Sequence, residues 1–156
     1  MSSPHTFDDI DAQLLRLLQD DARLPNLKLA QAVGLSPAAT HERVQRLLRE
    51  GYILGFEGVL NPALLGAGLL VFVELRLQAH GDGVHTAFKA AVQAQPEILE
   101  CHEVAGSFDY LVKVRVADME AYRRVVAEVV WALPGVRQVR TYTAMEEVKN
   151  TAKLAL

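Results

Sequence analysis

The 156-residue sequence is 51% hydrophobic and 22% charged, a composition that is typical of globular proteins and excludes an extensively disordered chain. Its formal net charge of −3 gives no overall attraction for nucleic acid, so a basic surface has to be sought locally. A single cysteine, Cys101, excludes an internal disulfide and favours a reducing compartment.

Neither a targeting segment nor a membrane span is evident in the sequence. The first residues are acidic and lack the basic flank of a signal peptide. The longest apolar run, residues 63–73, is too short to cross a bilayer. We therefore expect a cytoplasmic protein without a membrane partner.

The first fifty residues predict three short helices. Asp8 is suited to cap the first, whose apolar residues recur at helical spacing. The second ends at Gly34, and the pair Ser36-Pro37 is typical of the start of a third, which runs to residue 49 or 50. Two helices joined by a glycine-containing turn indicate a helix-turn-helix.

The third predicted helix concentrates basic residues within an acidic chain. In a helix-turn-helix this helix enters the major groove, so we expect Arg43 to contact a base edge or a phosphate. Arg46 and Arg49, further along, are expected to contact phosphates. The alternative is a solvated helix face with an ion pair between Glu42 and Arg46. The predicted DNA-binding residues are Asn26, Ser36, Pro37, Ala38, Ala39, Thr40, His41, Arg43, Arg46 and Arg49.

The remaining sequence changes character from helical to mixed. Residues 52–60 alternate loosely and predict a strand, and Asn61-Pro62 indicates a turn at a domain boundary. Beyond it the predicted elements follow the order βαββαβ, with Gly106-Ser107 between the two central strands. The predicted domains are residues 1–50, a strand-bearing linker at 51–66, and 67–156. The fold class is therefore α+β, a helix-turn-helix domain followed by a ferredoxin-like βαββαβ domain.

Two helices on one face of such a sheet leave the other face uncovered. We expect Leu99, Leu111 and other apolar residues there, and an open apolar sheet face requires a partner, such as a second copy.

The hairpin around residues 105–110 and the last strand predict a small-molecule site. Asp109 beside aromatic residues would hold an ammonium group, and backbone N–H groups near Gly106 would hold a carboxylate. The alternative is a hairpin turn that the aspartate stabilises.

No signal for catalysis or for a metal stands out. The histidines at 5, 41, 80, 85 and 102 lack metal-ligand spacing, and Cys101 has no basic neighbour to activate it. We expect no enzyme activity, no metal and no cofactor, and the hypothesis of an enzyme subunit lacks an acid–base or nucleophile set.

Four stretches together resemble the Lrp/AsnC family of bacterial and archaeal transcription regulators, its leucine-responsive members most of all. They are "NLKLAQAVGLSPAATHERVQRLLREGYI", "LLVFVEL", "ECHEVAGSFDYLVKVRVADMEAYR" and "LPGVRQVRTYTAMEEVK". The resemblance spans nearly the whole chain.

The resemblance implies a regulator that binds double-stranded DNA, forms homodimers through the open sheet faces and assembles further to octamers. It also implies an amino-acid effector, such as leucine, methionine or another apolar amino acid, bound between dimers. The effector residues that it implies are Val104, Ala105, Gly106, Asp109 and Tyr110, with Arg140, Thr141, Thr143 and Met145 as lining. Ser107 and the pair Thr40-His41 depart from the pattern, so effector selectivity and operator sequence are not carried over. The alternative function is an amino-acid-binding regulatory or interaction module without DNA binding.

Overall fold

The computed structural model describes residues 7–78 and 82–156. The chain divides into two compact units: Met1–Val59 together with Thr151–Leu156, and Leu60–Asn150. No helix in the described ranges is long and apolar enough to cross a membrane.

The first unit contains the three predicted helices, α1 (Asp9–Asp20), α2 (Asn26–Val33) and α3 (Pro37–Arg49). The expected caps are confirmed. Asp8 begins α1 by accepting a hydrogen bond from the backbone N–H of Asp11 at 2.9 Å. Gly34 ends α2 with a φ of 69°, a conformation that glycine adopts without steric cost.

A small apolar core joins these helices. Leu14 and Leu18 of α1 are buried against Leu29 of α2 and Leu47 of α3. Their burial fixes three short helices that would be marginal in isolation. Residues 151–156 contact the same unit, because the side-chain amide of Gln19 binds the backbone N–H and C=O of Leu154 at 2.7 and 3.1 Å.

The second unit is an antiparallel sheet with the order β2-β3-β1-β4 and two helical segments. This is the predicted βαββαβ arrangement, and the α+β fold class is confirmed. The elements are β1 (Leu69–Leu77), α4 (Asp82–Gln93), β2 (Ile98–Glu103), β3 (Tyr110–Val116), α5 (Met119–Val125), a π-helical segment (Val126–Val130) and β4 (Val136–Thr143).

The core of this unit lies on one face of the sheet. Strands β1 and β3 alternate buried and half-buried residues, and their buried side chains pack under the helices. The packed set comprises Val71, Val73, Leu75, Leu77, Phe88, Val92, Tyr110, Val112, Val114, Val116, Tyr122, Val130 and Leu133.

The other sheet face differs from the expected apolar surface. Leu99 is exposed and Leu111 half-buried, as expected, but charged pairs lie beside them. Lys113 binds Glu100 at 2.7 Å, and Arg115 of β3 binds Glu147 at 2.6 Å. A partner on this face would therefore meet charges as well as apolar side chains.

The strand predicted at residues 52–60 is wrong for the single chain. No other segment of the described chain pairs with it, and a strand requires a partner for its backbone N–H and C=O groups. Ile53 packs against the core of the first unit, but other apolar side chains of the segment remain in solvent, with Leu54 98% and Val59 102% exposed. Tyr52 stacks on Phe7, with ring centroids 5.2 Å apart.

Gly135, which lies just before β4, provides a test of the packing. Its φ is 75°, and an added Cβ would lie 2.3 Å from Cγ1 of Val84. We expect Gly135→Ala to lower the free energy of unfolding by about 2 kcal/mol, because backbone strain and a clash add together. Gly106→Ala is the control, since its added Cβ meets no atom of the described residues within 4 Å. Equal urea midpoints for the two variants would contradict the expectation.

Candidate functional site

The exposed face of α3 is the surface that a DNA duplex would meet in a helix-turn-helix. Helical geometry places five exposed residues on this face. They are Ala38, His41, Glu42, Gln45 and Arg49. The predicted DNA-binding residues do not include Glu42 or Gln45, although the period of the buried residues places both opposite Thr40 and Leu47.

Arg46 is not part of this face, so its guanidinium is not free for the phosphate contact that the sequence predicted. Its Nη2 donates to Oδ2 of Asp11 at 2.6 Å, and the two side chains are 9% and 0% exposed. The ion pair joins the first turn of α1 to the middle of α3. The alternative pair between Glu42 and Arg46 is absent from the described contacts for the same reason.

Arg43 is half-buried and also turns towards α1. Its Nη1 donates to Asp8 at 2.8 Å and to Asp11 at 2.9 Å. The pKa of Asp8 is lowered, first by the hydrogen bond from the Asp11 backbone and then by the bond from Arg43. Two guanidinium groups and two carboxylates thus form a four-residue cluster between α1 and α3, which we call the ionic clasp.

Three other predicted DNA-binding residues shape the turn between α2 and α3. The side-chain amide of Asn26 donates to the backbone oxygen of Pro37 at 2.7 Å. The Ser36 hydroxyl accepts from the backbone N–H of Ala39 at 3.2 Å, which caps α3. Thr40 is fully buried and donates to the backbone oxygen of Ser36 at 3.0 Å. These contacts stabilise the start of α3.

The predicted effector residues at the hairpin lie in the loop between β2 and β3. Asp109 accepts a hydrogen bond from the backbone N–H of Leu77 at 2.7 Å, and its own N–H donates to Leu75. The Val104 N–H donates to the backbone oxygen of Asp109 at 3.0 Å. The aspartate therefore ties the hairpin to β1, which is what the turn-stabilising alternative predicts.

The neighbouring hairpin residues divide into open and buried positions. Ala105 and Gly106 are exposed, and no atom of residues 7–78 and 82–156 lies within 4 Å of a Cβ added at Gly106. Tyr110 is buried, its hydroxyl lies 2.9 Å from Nδ1 of His85, and burial raises the pKa of the phenol. Among the described residues of one chain, none approaches the backbone at Gly106 closely enough to require a glycine.

The predicted lining residues of β4 lie on both sides of the sheet. The Thr141 hydroxyl contacts that of Tyr122 at 2.5 Å, and Thr143 lies 3.9 Å from the sulfur of Met119. Arg140 is on the opposite face, 3.8 Å from Glu74, while Met145 is fully exposed. One chain therefore does not bring the predicted effector residues together.

A cleft lies on the helical side of β4. Its volume is about 290 Å³. It is lined by Met119, Tyr122, Arg123, Val126, Ala127, Trp131 and Thr141. Only Thr141 of the predicted effector residues reaches it, and Trp131, the single tryptophan of the chain, is half-exposed at its edge.

The described part of the chain holds no group of three or more potential metal ligands. His5 and His80 lie outside the described residues. Cys101 is half-buried, and burial raises the pKa of its thiol, which keeps it protonated at neutral pH.

Two family models match the chain. Residues 7–48 match the AsnC-type helix-turn-helix domain, and residues 70–154 match the Lrp/AsnC ligand binding domain. The second match alone covers more than half of the chain.

Curated relatives and solved structures agree with these matches. The leucine-responsive regulatory proteins of Salmonella typhimurium and Escherichia coli are each 50% identical over 149 residues, which is 96% of this chain and 91% of theirs. A transcriptional regulator from Neisseria meningitidis, solved as a complex with L-Met, is 29% identical with a TM-score of 0.90, covering 96% of this chain and 97% of its own. An AsnC family regulator from Agrobacterium tumefaciens is 32% identical with a TM-score of 0.85, covering 95% and 96%.

The ionic clasp predicts that Arg46 acts in folding. Arg46→Met would leave the buried Asp11 carboxylate with one of its two cationic partners, Arg43. We expect a loss of about 3 kcal/mol in the free energy of unfolding, the lower end for breaking a buried ion pair. Arg49→Met, at an exposed position of the same helix, should change it by less than about 0.5 kcal/mol. Urea unfolding followed by far-ultraviolet circular dichroism measures both, and equal losses would contradict a buried role.

Proposed function

The chain belongs to the Lrp/AsnC family of helix-turn-helix transcription regulators, and on that premise we propose that α3 reads DNA while an amino acid bound to the second unit controls this binding. The observation that carries the proposal is the exposed face of α3. Ser36 caps this helix, and the ionic clasp holds it from behind. The outward side chains are exposed and make no ion pair or side-chain hydrogen bond within the described chain. A helix with such an exposed face can lie in the major groove of a DNA duplex.

We assign the contacts to DNA by exposure. Ala38 is small and permits contact with a thymine methyl group, and His41 lies one turn further along the same face. Arg49 at the end of α3 and Lys28 on α2 are exposed and suited to phosphates. Arg43 and Arg46 support the reading helix rather than touch the bases.

We propose an apolar amino acid, leucine or methionine, as the effector. The names of the relatives support leucine, and the L-Met complex of the Neisseria meningitidis regulator supports methionine. Regulation of this kind requires that the ligand bind two states of the protein unequally.

Assembly of several copies completes the effector site in this proposal. A second copy that contributes residues to the site would explain two features of the single chain. The backbone at Gly106 is open, and the predicted lining residues lie on both faces of the sheet. Leu54, Val59 and Leu64, all more than four-fifths exposed, favour homodimers that cover them, with further assembly to octamers. We propose a cytoplasmic location, because the proposed partner is DNA and the named relatives are bacterial regulators.

DNA binding is tested by Arg49→Ala with Arg124→Ala as the control, an exposed arginine of α5. We expect Arg49→Ala to weaken binding to every duplex and to flatten the dependence of log affinity on log salt by about one unit. Arg124→Ala changes the net charge equally and should leave both unchanged. Fluorescence anisotropy with labelled duplexes measures this. Binding that does not depend on salt would favour an interaction module without DNA binding.

The effector site is tested by Gly106→Val with Ala32→Val as the control, an exposed position of α2 in the first unit. Gly106 has no positive φ, and its added Cβ meets no atom of the described residues within 4 Å, so the variant should fold. Leucine or methionine should raise the melting temperature of the wild type, because a ligand that binds only the folded state stabilises it. Gly106→Val should abolish that rise while keeping the ligand-free melting temperature, and Ala32→Val should retain it. An equal rise in all three proteins would place the effector elsewhere.

A further inference from the structure

The outward face of α3 carries one acidic side chain, Glu42. Glu42 is exposed on the same face as Ala38, His41 and Gln45. Within residues 7–78 and 82–156 it has no ion pair and no side-chain hydrogen bond. The basic residue one turn away, Arg46, is bound to Asp11 instead.

An unpaired carboxylate on a reading helix is costly beside DNA. Phosphates repel it, and loss of its hydration is not compensated by any side chain of its own helix. A hydrogen bond from a base to the carboxylate offsets this unfavourable free energy. In the major groove the N4 amino group of cytosine is the donor that Glu and Asp accept from.

We propose that Glu42 is a specificity-determining residue that accepts a hydrogen bond from a cytosine amino group in each half-site of the operator. This inference rests on the proposed entry of α3 into the major groove. Glu42 sits in the second turn of α3, within the half of the helix that reaches base edges. Its negative charge also lowers affinity for sequences that lack the cytosine.

The ionic clasp gives this role its physical basis. Because Asp8 and Asp11 hold Arg43 and Arg46 on the α1 side of the helix, neither arginine neutralises Glu42. The reading face therefore combines small, neutral and acidic side chains. Non-specific attraction to phosphates is left to residues further along, such as Arg49.

The test uses the full chain and duplexes selected from a randomised pool. The wild type should select a fixed C·G pair in each half-site. Glu42→Ala should lose that preference, with the ratio of affinities for the selected and a scrambled duplex falling about fivefold to a hundredfold. Its affinity for the scrambled duplex should rise, which a merely structural role would not produce. Glu42→Gln should shift the preferred base from cytosine to adenine, the base that glutamine reads.

The control is Glu50→Ala, which removes the same charge at the exposed end of α3. It should leave the selected bases unchanged. Melting curves establish that each variant is folded. Salt-dependent binding in which Glu42→Ala selects the same bases as the wild type would overturn the inference and leave the proposed function standing. Failure of the wild type to bind any duplex in a salt-dependent way would overturn both.

Discussion

The buried ion pair between Asp11 and Arg46 is the contact on which the DNA-binding unit depends. It joins residues 35 positions apart and brings the first turn of α1 against the middle of α3. Asp11 also completes the capping box of α1 and binds Arg43, so one carboxylate serves helix initiation and helix packing together. Burying a charge without such partners would cost several kcal/mol, which disfavours any orientation of α3 that separates the pair.

This constraint decides which side of α3 faces solvent. The two clasp arginines are used inside the unit, and the outward side chains are small, neutral or acidic with Arg49 at the far end. Basic charge close to a reading helix therefore does not by itself identify contacts with DNA. An acidic chain can still bind DNA when its few free cations are placed at the edge of the reading surface.

The second unit follows a comparable logic. The Asp109 carboxylate accepts a hydrogen bond from the backbone of β1, which holds the hairpin in place and leaves the backbone at Gly106 exposed. Helices cover one face of the sheet, and the other face carries charged and some apolar side chains. The remaining open features, the extended segment 52–60 and this sheet face, are suited to contact between copies, which couples the proposed effector site to assembly.

The sequence by itself determined the local elements. Caps such as Asp8 and Ser36, the turn at Gly34 and the helical and alternating periods predicted the helices and the order βαββαβ along the chain, because these signals act over a few residues. The sequence did not determine where Arg46 points, what Asp109 binds or that segment 52–60 lacks a partner. Those outcomes depend on groups that are distant along the chain, and only the tertiary structure decides which of several available partners a charged side chain or a strand edge meets.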